Sequence, residues 1–246
     1  MNRLLRVVGT LMIVVGVALL AWALTVWQWQ DPFTAILHSR DQRALTRTFE
    51  RELQRQPPVQ IPTTAPVGPS AAEVRKAIAR SARSWRQRAK PGTAIARLRI
   101  PRLHLTEIVV NGTDAKSLKR GPGRYLGSAM PGEGQLVYIA GHRTTYGAPF
   151  AHITDLHRGD RVFLELPYGT IEYAITGHRI VENDELSVLK SKGFEQLALQ
   201  ACHPRFFASQ RYIAYGRLVR IEPRGGPAFT LPTNALAAPK GSTARR

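Results

Sequence analysis

The chain of 246 residues contains one cysteine, Cys202, so no intramolecular disulfide can staple it. Acidic residues are scarce, with 17 Asp and Glu against 35 Lys and Arg and a formal charge of +18. A surplus of that size suits an anionic neighbour, whether lipid headgroups, wall polymer or nucleic acid, and decides nothing about the fold. Nucleic acid is not expected as a partner, because the sequence has no aromatic-interleaved basic patch and no zinc-finger spacing. No two of the seven histidines stand at a convincing metal-ligand spacing, so no metal and no cofactor is expected. There is no internal repeat, and only one long uncharged apolar run.

That run is Val7 to Trp27, rich in Val, Leu and Ala. Its length meets the roughly 20 apolar residues that a helix needs to cross a bilayer core. Arg3 and Arg6 precede it and Asp31 follows, so residues 1–6 are expected in the cytoplasm and the rest outside. Trp22, Trp27 and Trp29 crowd the outer end, where indole rings suit the membrane interface. Ala21-Trp22-Ala23 resembles a signal-peptide cleavage site. The apolar run continues through Leu24 and Val26, however, which favours an uncleaved, single-pass signal anchor over residues 7–29. Outside the cell an unpaired thiol is a liability, so Cys202 is read as reactive. The plainer alternative is a small buried apolar residue.

Residues 30–92 read as a basic stalk. Arg40, Arg43, Arg47, Arg51 and Arg55 recur along one side of a helix, with a thin apolar face from Ala44, Leu45 and Leu53. The expectation is a solvated helix near the membrane. Pro57 to Pro69 reads as an extended linker holding the remainder away from the bilayer. A second basic amphipathic stretch, Ala71 to Lys90, carries Val74, Ile78 and Trp85 and leads to Pro91-Gly92. Residues 93–222 then change character. Short β-rich runs are expected near 94–100, 105–110, 135–141, 161–166, 170–181, 196–202 and 211–222, which suggests a closed or nearly closed β-barrel. Residues 223–246, rich in Pro, Gly, Ala and Thr, are expected to be a disordered tail.

Cys202 ends the apolar run through Ala201, and Pro204 cannot continue a strand ladder. A nucleophile at a strand terminus is exposed yet rigidly held. His203 would point to the opposite face and is a poor partner. His142, after the apolar run Gln135 to Gly141, is the better candidate, since two strand ends in one barrel can be neighbours. Arg211 begins the last strand, and a loop from His203 to Gln210 would return it beside the thiol, where a guanidinium could stabilise an oxyanion. Arg205 lies in the turn and is expected to face solvent.

The segments Tyr138-Ile139-Ala140-Gly141-His142-Arg143, Ala201-Cys202-His203-Pro204-Arg205-Phe206 and Ser209-Gln210-Arg211-Tyr212 resemble the sortase signature, in the family's order. The Cys-His-Pro form and Arg120-Gly121-Pro122-Gly123-Arg124-Tyr125 resemble the class E sortases of actinobacteria. The resemblance covers about residues 93–222. It implies a mainly β fold, an eight-stranded sortase barrel with short helices, and a cysteine transpeptidase. Cys202 would be the nucleophile, His142 the acid/base and Arg211 the oxyanion-side partner. Tyr125 falls where class E enzymes carry a tyrosine linked to Ala in a Leu-Ala-x-Thr-Gly signal; a rim or core aromatic is the plainer reading. Calcium ligands of some sortases have no match here. Sortases usually carry Thr just before the Cys and again three residues earlier, whereas this chain has Ala201 and Ala198.

The resemblance further implies partners: secreted proteins with C-terminal sorting signals, of Leu-Ala-x-Thr-Gly or Leu-Pro-x-Thr-Gly type, and a cell-wall or pilin amine acceptor. Two other readings stay open. One is another extracellular cysteine peptidase or transpeptidase, although no Ser-x-Gly precedes the cysteine as in L,D-transpeptidases. The other is a degenerate module that binds sorting signals without turnover.

Overall fold

In the computed structural model, which describes residues 2–29, 32–61 and 68–231, alternating apolar residues generate the strands. In β5 (Arg161–Leu166), Val162, Leu164 and Leu166 point inward while Arg161, Phe163 and Glu165 point out. The other strands are β1 (Ala94–Ile100), β2 (Leu105–Asn111), β3 (Gly123–Arg124), β4 (Leu136–Ala140), β6 (Gly169–Glu182), β7 (Gln196–His203), β8 (Gln210–Pro223) and β9 (Phe229–Thr230). They pair in the order β6-β5-β1-β2-β3-β4-β7-β8, and β8 pairs with β6 to close an eight-stranded barrel. The strand β9 adds to β8 outside that ring. Two pairings are parallel, β2 with β3 and β4 with β7. The barrel interior is filled by Leu98, Ile100, Val137, Ile139, Leu164, Ile171, Tyr173, Leu197 and Leu199.

Four α-helices complete the described chain: α1 (Asn2–Trp29), α2 (Pro32–Arg55), α3 (Ala71–Arg88) and α4 (Ala115–Arg120). Within α1, Arg3–Ala23 is long and apolar enough to cross a membrane, with a mean hydropathy of 2.4, and none of it is buried in the protein.

The stretch expected to be a stalk is largely part of the packed body. In α3 a capping box joins Ser70 and Glu73, which satisfies donors at the helix start. Val74, Ile78, Ala82 and Trp85 then pack into the barrel core, and the Trp85 indole donates to the Ile95 carbonyl at 3.2 Å. Burying a tryptophan of this size contributes a large apolar area, which ties α3 to the barrel. The helix α2 departs further from its expected solvation. Its arginines, 40, 43, 47, 51 and 55, are exposed as expected. Its other face, at 38, 42, 45 and 49, lies on β1, β2 and α4. Leu45 and Phe49 are buried with Ala94, Ile108 and Val110. Gln42 accepts from the Ile108 N–H at 2.7 Å and donates to the Arg120 carbonyl at 2.8 Å.

The proline segment is no simple spacer either. Val59 and Ile61 pack against the core, and the Val59 N–H donates to the Arg224 carbonyl at 2.9 Å. Residues 62–67 of that segment lie outside the described residues. The expected tail also carries structure at its start, since β8 runs to Pro223 and β9 follows. Residues 232–246 lie outside the described part.

Candidate active site

The nucleophile candidate is placed by the pleat of β7. Leu197, Leu199 and Ala201 face the barrel core, so Ala198, Gln200 and Cys202 share the outer face. That face is a partly apolar floor built from Leu136, Tyr138, Ala198 and Ile213, with Tyr125, Val188, Leu189 and Tyr215 packed against it. Tyr138 hydroxyl and Gln200 Oε1 meet in a short hydrogen bond two residues from the thiol. Cys202 itself is half-buried and unpaired.

The parallel pairing of β4 with β7 supplies the second group. Ala140 stands in register with Gln200, and the Gly141 N–H donates to the Gln200 carbonyl at 3.0 Å. His142 lies two residues after Ala140, just beyond β4, as Cys202 lies two residues after Gln200, within β7. The imidazole packs on Tyr146, with ring centroids 5.1 Å apart. Burial is the main cause that lowers the His142 pKa below 6.5, and the positive charges of His38 and Lys119 add to it. The neutral imidazole thus predominates at neutral pH.

The third group comes from the antiparallel ladder of β7 and β8, where Cys202 is paired with Arg211. Arg211 Nη1 donates to the carbonyls of Ala208 at 2.7 Å and Gln210 at 2.9 Å. These bonds fix the guanidinium at the loop that joins the two strands.

Arg143, given no role in the sequence beyond its place in the segment that resembles the sortase signature, joins this site. It is buried, and its Nη1 donates to the Cys202 carbonyl at 3.2 Å and lies 3.0 Å from His203 Nδ1. One side chain thus ties the His142 segment to the Cys202 strand end. His203 engages Arg143 and tilts over Tyr212, a core residue, as expected of the opposite face. Arg205 is half-buried rather than solvent-facing, with its guanidinium 5.3 Å from the Phe206 ring.

Tyr125 flanks the same floor. Its N–H donates to the Tyr138 carbonyl at 2.9 Å, and the two rings meet edge to face at 6.4 Å. The turn after it is held by buried Arg124, whose guanidinium donates to Asn111 Oδ1, at 2.8 Å from Nη2, and to the Ser128 carbonyl. Burial lowers the Arg124 pKa to about 10. Ala198 and Ala201 are both fully buried, the first in the outer floor and the second in the core. Among the described residues, no three His, Cys, Asp or Glu converge as metal ligands.

Comparison with known proteins places this arrangement. The sortase domain model matches residues 98–219. Sortase E1 from Streptomyces coelicolor, solved with a tripeptide in its active site, is 30% identical; the match covers 55% of this chain and 93% of that one, with a TM-score of 0.51. The chain belongs to the sortase family. A Clostridium perfringens sortase D5 transpeptidase shares the fold at 20% identity, with a TM-score of 0.57 over 73% of this chain and 99% of that one. Sortase D of Bacillus subtilis is 36% identical over 52% of this chain and 65% of its own length. Sortase SrtE1 of Streptomyces coelicolor is 32% identical over 55% of this chain and 43% of its own length. This sortase thus spans less than two thirds of these two curated relatives.

Proposed function

We propose that this sortase is a membrane-anchored cysteine transpeptidase, most like class E, that acts on a C-terminal sorting signal of Leu-Ala-x-Thr-Gly or Leu-Pro-x-Thr-Gly type. The observation that supports the reading is the backbone register around Cys202: it is paired with Arg211 on β8, and Gln200, two residues before it, is paired with Ala140, two residues before His142.

His142, neutral at neutral pH, takes the Cys202 proton as sulfur attacks the Thr carbonyl carbon. Negative charge develops on the carbonyl oxygen. Arg211 stabilises it with charge-assisted hydrogen bonds from Nε and Nη2, because Nη1 is held by the Ala208 and Gln210 carbonyls. The Thr–Gly C–N bond breaks, and the His142 imidazolium gives its proton to the departing Gly amine. The acyl group remains on sulfur as a thioester. An amine of a cell-wall precursor or pilin then attacks the thioester, loses a proton to His142 and forms the new amide, which returns the thiol. Tyr125, on the floor that leads to Cys202, is the residue assigned to the signal's second position. The apolar span of α1 supports a single-pass anchor with the barrel outside the cell.

The test uses the full chain in nanodiscs, a signal peptide and an amine, read by mass spectrometry. Cleavage between Thr and Gly with an amine-linked product, lost in Cys202→Ala, is expected. Hydrolysed product alone would identify a peptidase, and binding without cleavage would identify a degenerate module.

A further inference from the structure

We propose that Thr34 and His38 of α2 are positioning residues for His142, holding the turn that carries Tyr146 against the imidazole. This rests on the assignment of His142 as the acid/base.

The turn after His142 is not one that the chain holds by itself. Tyr146, Gly147 and Ala148 stand consecutively at φ of 52°, 72° and 41°. Left-handed backbone at non-glycine residues costs of order 1–3 kcal/mol each and persists only where surroundings over-determine it. Part of that support comes from within the loop, where the Ala148 N–H donates to the Thr145 carbonyl at 2.9 Å. The Phe150 N–H to the His142 carbonyl at 3.0 Å and the Ala151 N–H to the Ala148 carbonyl at 2.9 Å brace it as well, and further support comes from a helix more than a hundred residues away in sequence. Thr34 Oγ1 accepts from the Tyr146 N–H at 3.0 Å. One turn on, the His38 ring lies so close to Gly147 that a methyl group there would overlap it.

His38 is itself held fast. It is buried, and its Nε2 lies 2.9 Å from both carboxylate oxygens of Glu107 on β2. Lys119 of α4 stands over the Tyr146 ring, 5.5 Å from its centroid. Tyr146 in turn packs on His142. The contacts run from α2 through Tyr146 to the imidazole, with α4 closing the far side. A displacement of about 1 Å in a reacting group can cost roughly 100-fold in rate, so a turn that slackens should be visible in turnover before it is visible in folding.

The charged groups around His142 are His38 from α2 and Lys119 from α4; Glu107 and Asp41 face His38. Substitutions at Thr34 leave all four in place, which separates position from charge.

The experiment compares the full chain with Thr34→Val and Thr34→Ser in nanodiscs. In Thr34→Val, kcat is expected to fall roughly tenfold or more, within the range a small misplacement allows. KM for the signal peptide and the melting temperature should stay as in the parent, and Thr34→Ser, which keeps the acceptor, should restore kcat. A second measurement needs no substrate. The His142 ring proton followed by NMR titration is expected to move toward 6.5 in Thr34→Val, as the imidazole loses its packing, and to return in Thr34→Ser. Wild-type kcat together with an unmoved His142 titration in Thr34→Val would overturn the proposal. A parent protein inert toward every peptide would count against the transpeptidase reading instead, and the titration would still decide the role of Thr34.

Discussion

Cys202 on β7 and Arg211 on β8 face one another at the last pair but one of an antiparallel ladder. The register puts the two residues on the same, outer face of the sheet, one pair before the strands separate into a loop. Replacing Arg211 with Met should lower kcat by about 100- to 1000-fold, the range measured when an oxyanion donor is removed. Lys, which keeps charge but loses the planar fork, should recover only part of it. Single-turnover kinetics with the sorting peptide would check both.

The pH dependence follows from His142. Its pKa in the folded protein is lowered, so the neutral base persists below 6.5 and is lost as pH falls through the depressed value. The acid limb of kcat/KM should therefore lie below pH 6.5. Burial opposes the His38 charge, but the hydrogen bond and charge of Glu107 outweigh it and raise the His38 pKa. His38→Gln removes that positive charge from the neighbourhood of His142, so the acid limb should shift upward, toward 6.5. A pH-rate profile of the two proteins measures the shift; a limb that moves downward would contradict the assignment.

If α2 belongs to the fold, its two faces must respond differently. Phe49 is completely buried, and Phe49→Ala should cost about 3–5 kcal/mol. Arg47 on the opposite face is exposed, and Arg47→Ala should change stability by no more than about 0.5 kcal/mol. Urea unfolding monitored by circular dichroism distinguishes the two.

The long strands are legible in the sequence because strict alternation, as in Ala96 to Ile100, suits a half-buried strand and cannot give a helix one apolar face. Two-residue strands such as β3 and β9 are too short to carry a period, so nothing in the sequence marks them. The thiol, the imidazole and the guanidinium stand out in the sequence by their places at or just beyond strand ends, and the ladder registers relate the backbone positions that carry them. The buried face of α2 is hidden by its composition. His38, buried, and Gln42, half-buried, are polar, and they sit on this face only because Glu107 and the backbone at Ile108 and Arg120 meet them. No hydrophobic pattern along the helix can announce a partner on another element. Arg143 is obscured for the same reason: its task is set by the Cys202 carbonyl, which becomes its neighbour only when β4 and β7 pair.

The contact of Thr34 with Tyr146 also sets a length. Only four residues lie between Trp29, the end of α1, and Thr34. A chain spans at most about 3.3–3.6 Å per residue, so Thr34 lies within roughly 18 Å of the end of α1, whatever path the link takes, and the turn beside His142 hangs on Thr34 Oγ1 by a 3.0 Å hydrogen bond. If α1 crosses a bilayer, as proposed, the barrel would work on a short leash. It would meet a sorting signal as the signal leaves the membrane, and acceptors that remain far out in the wall would have to come to it.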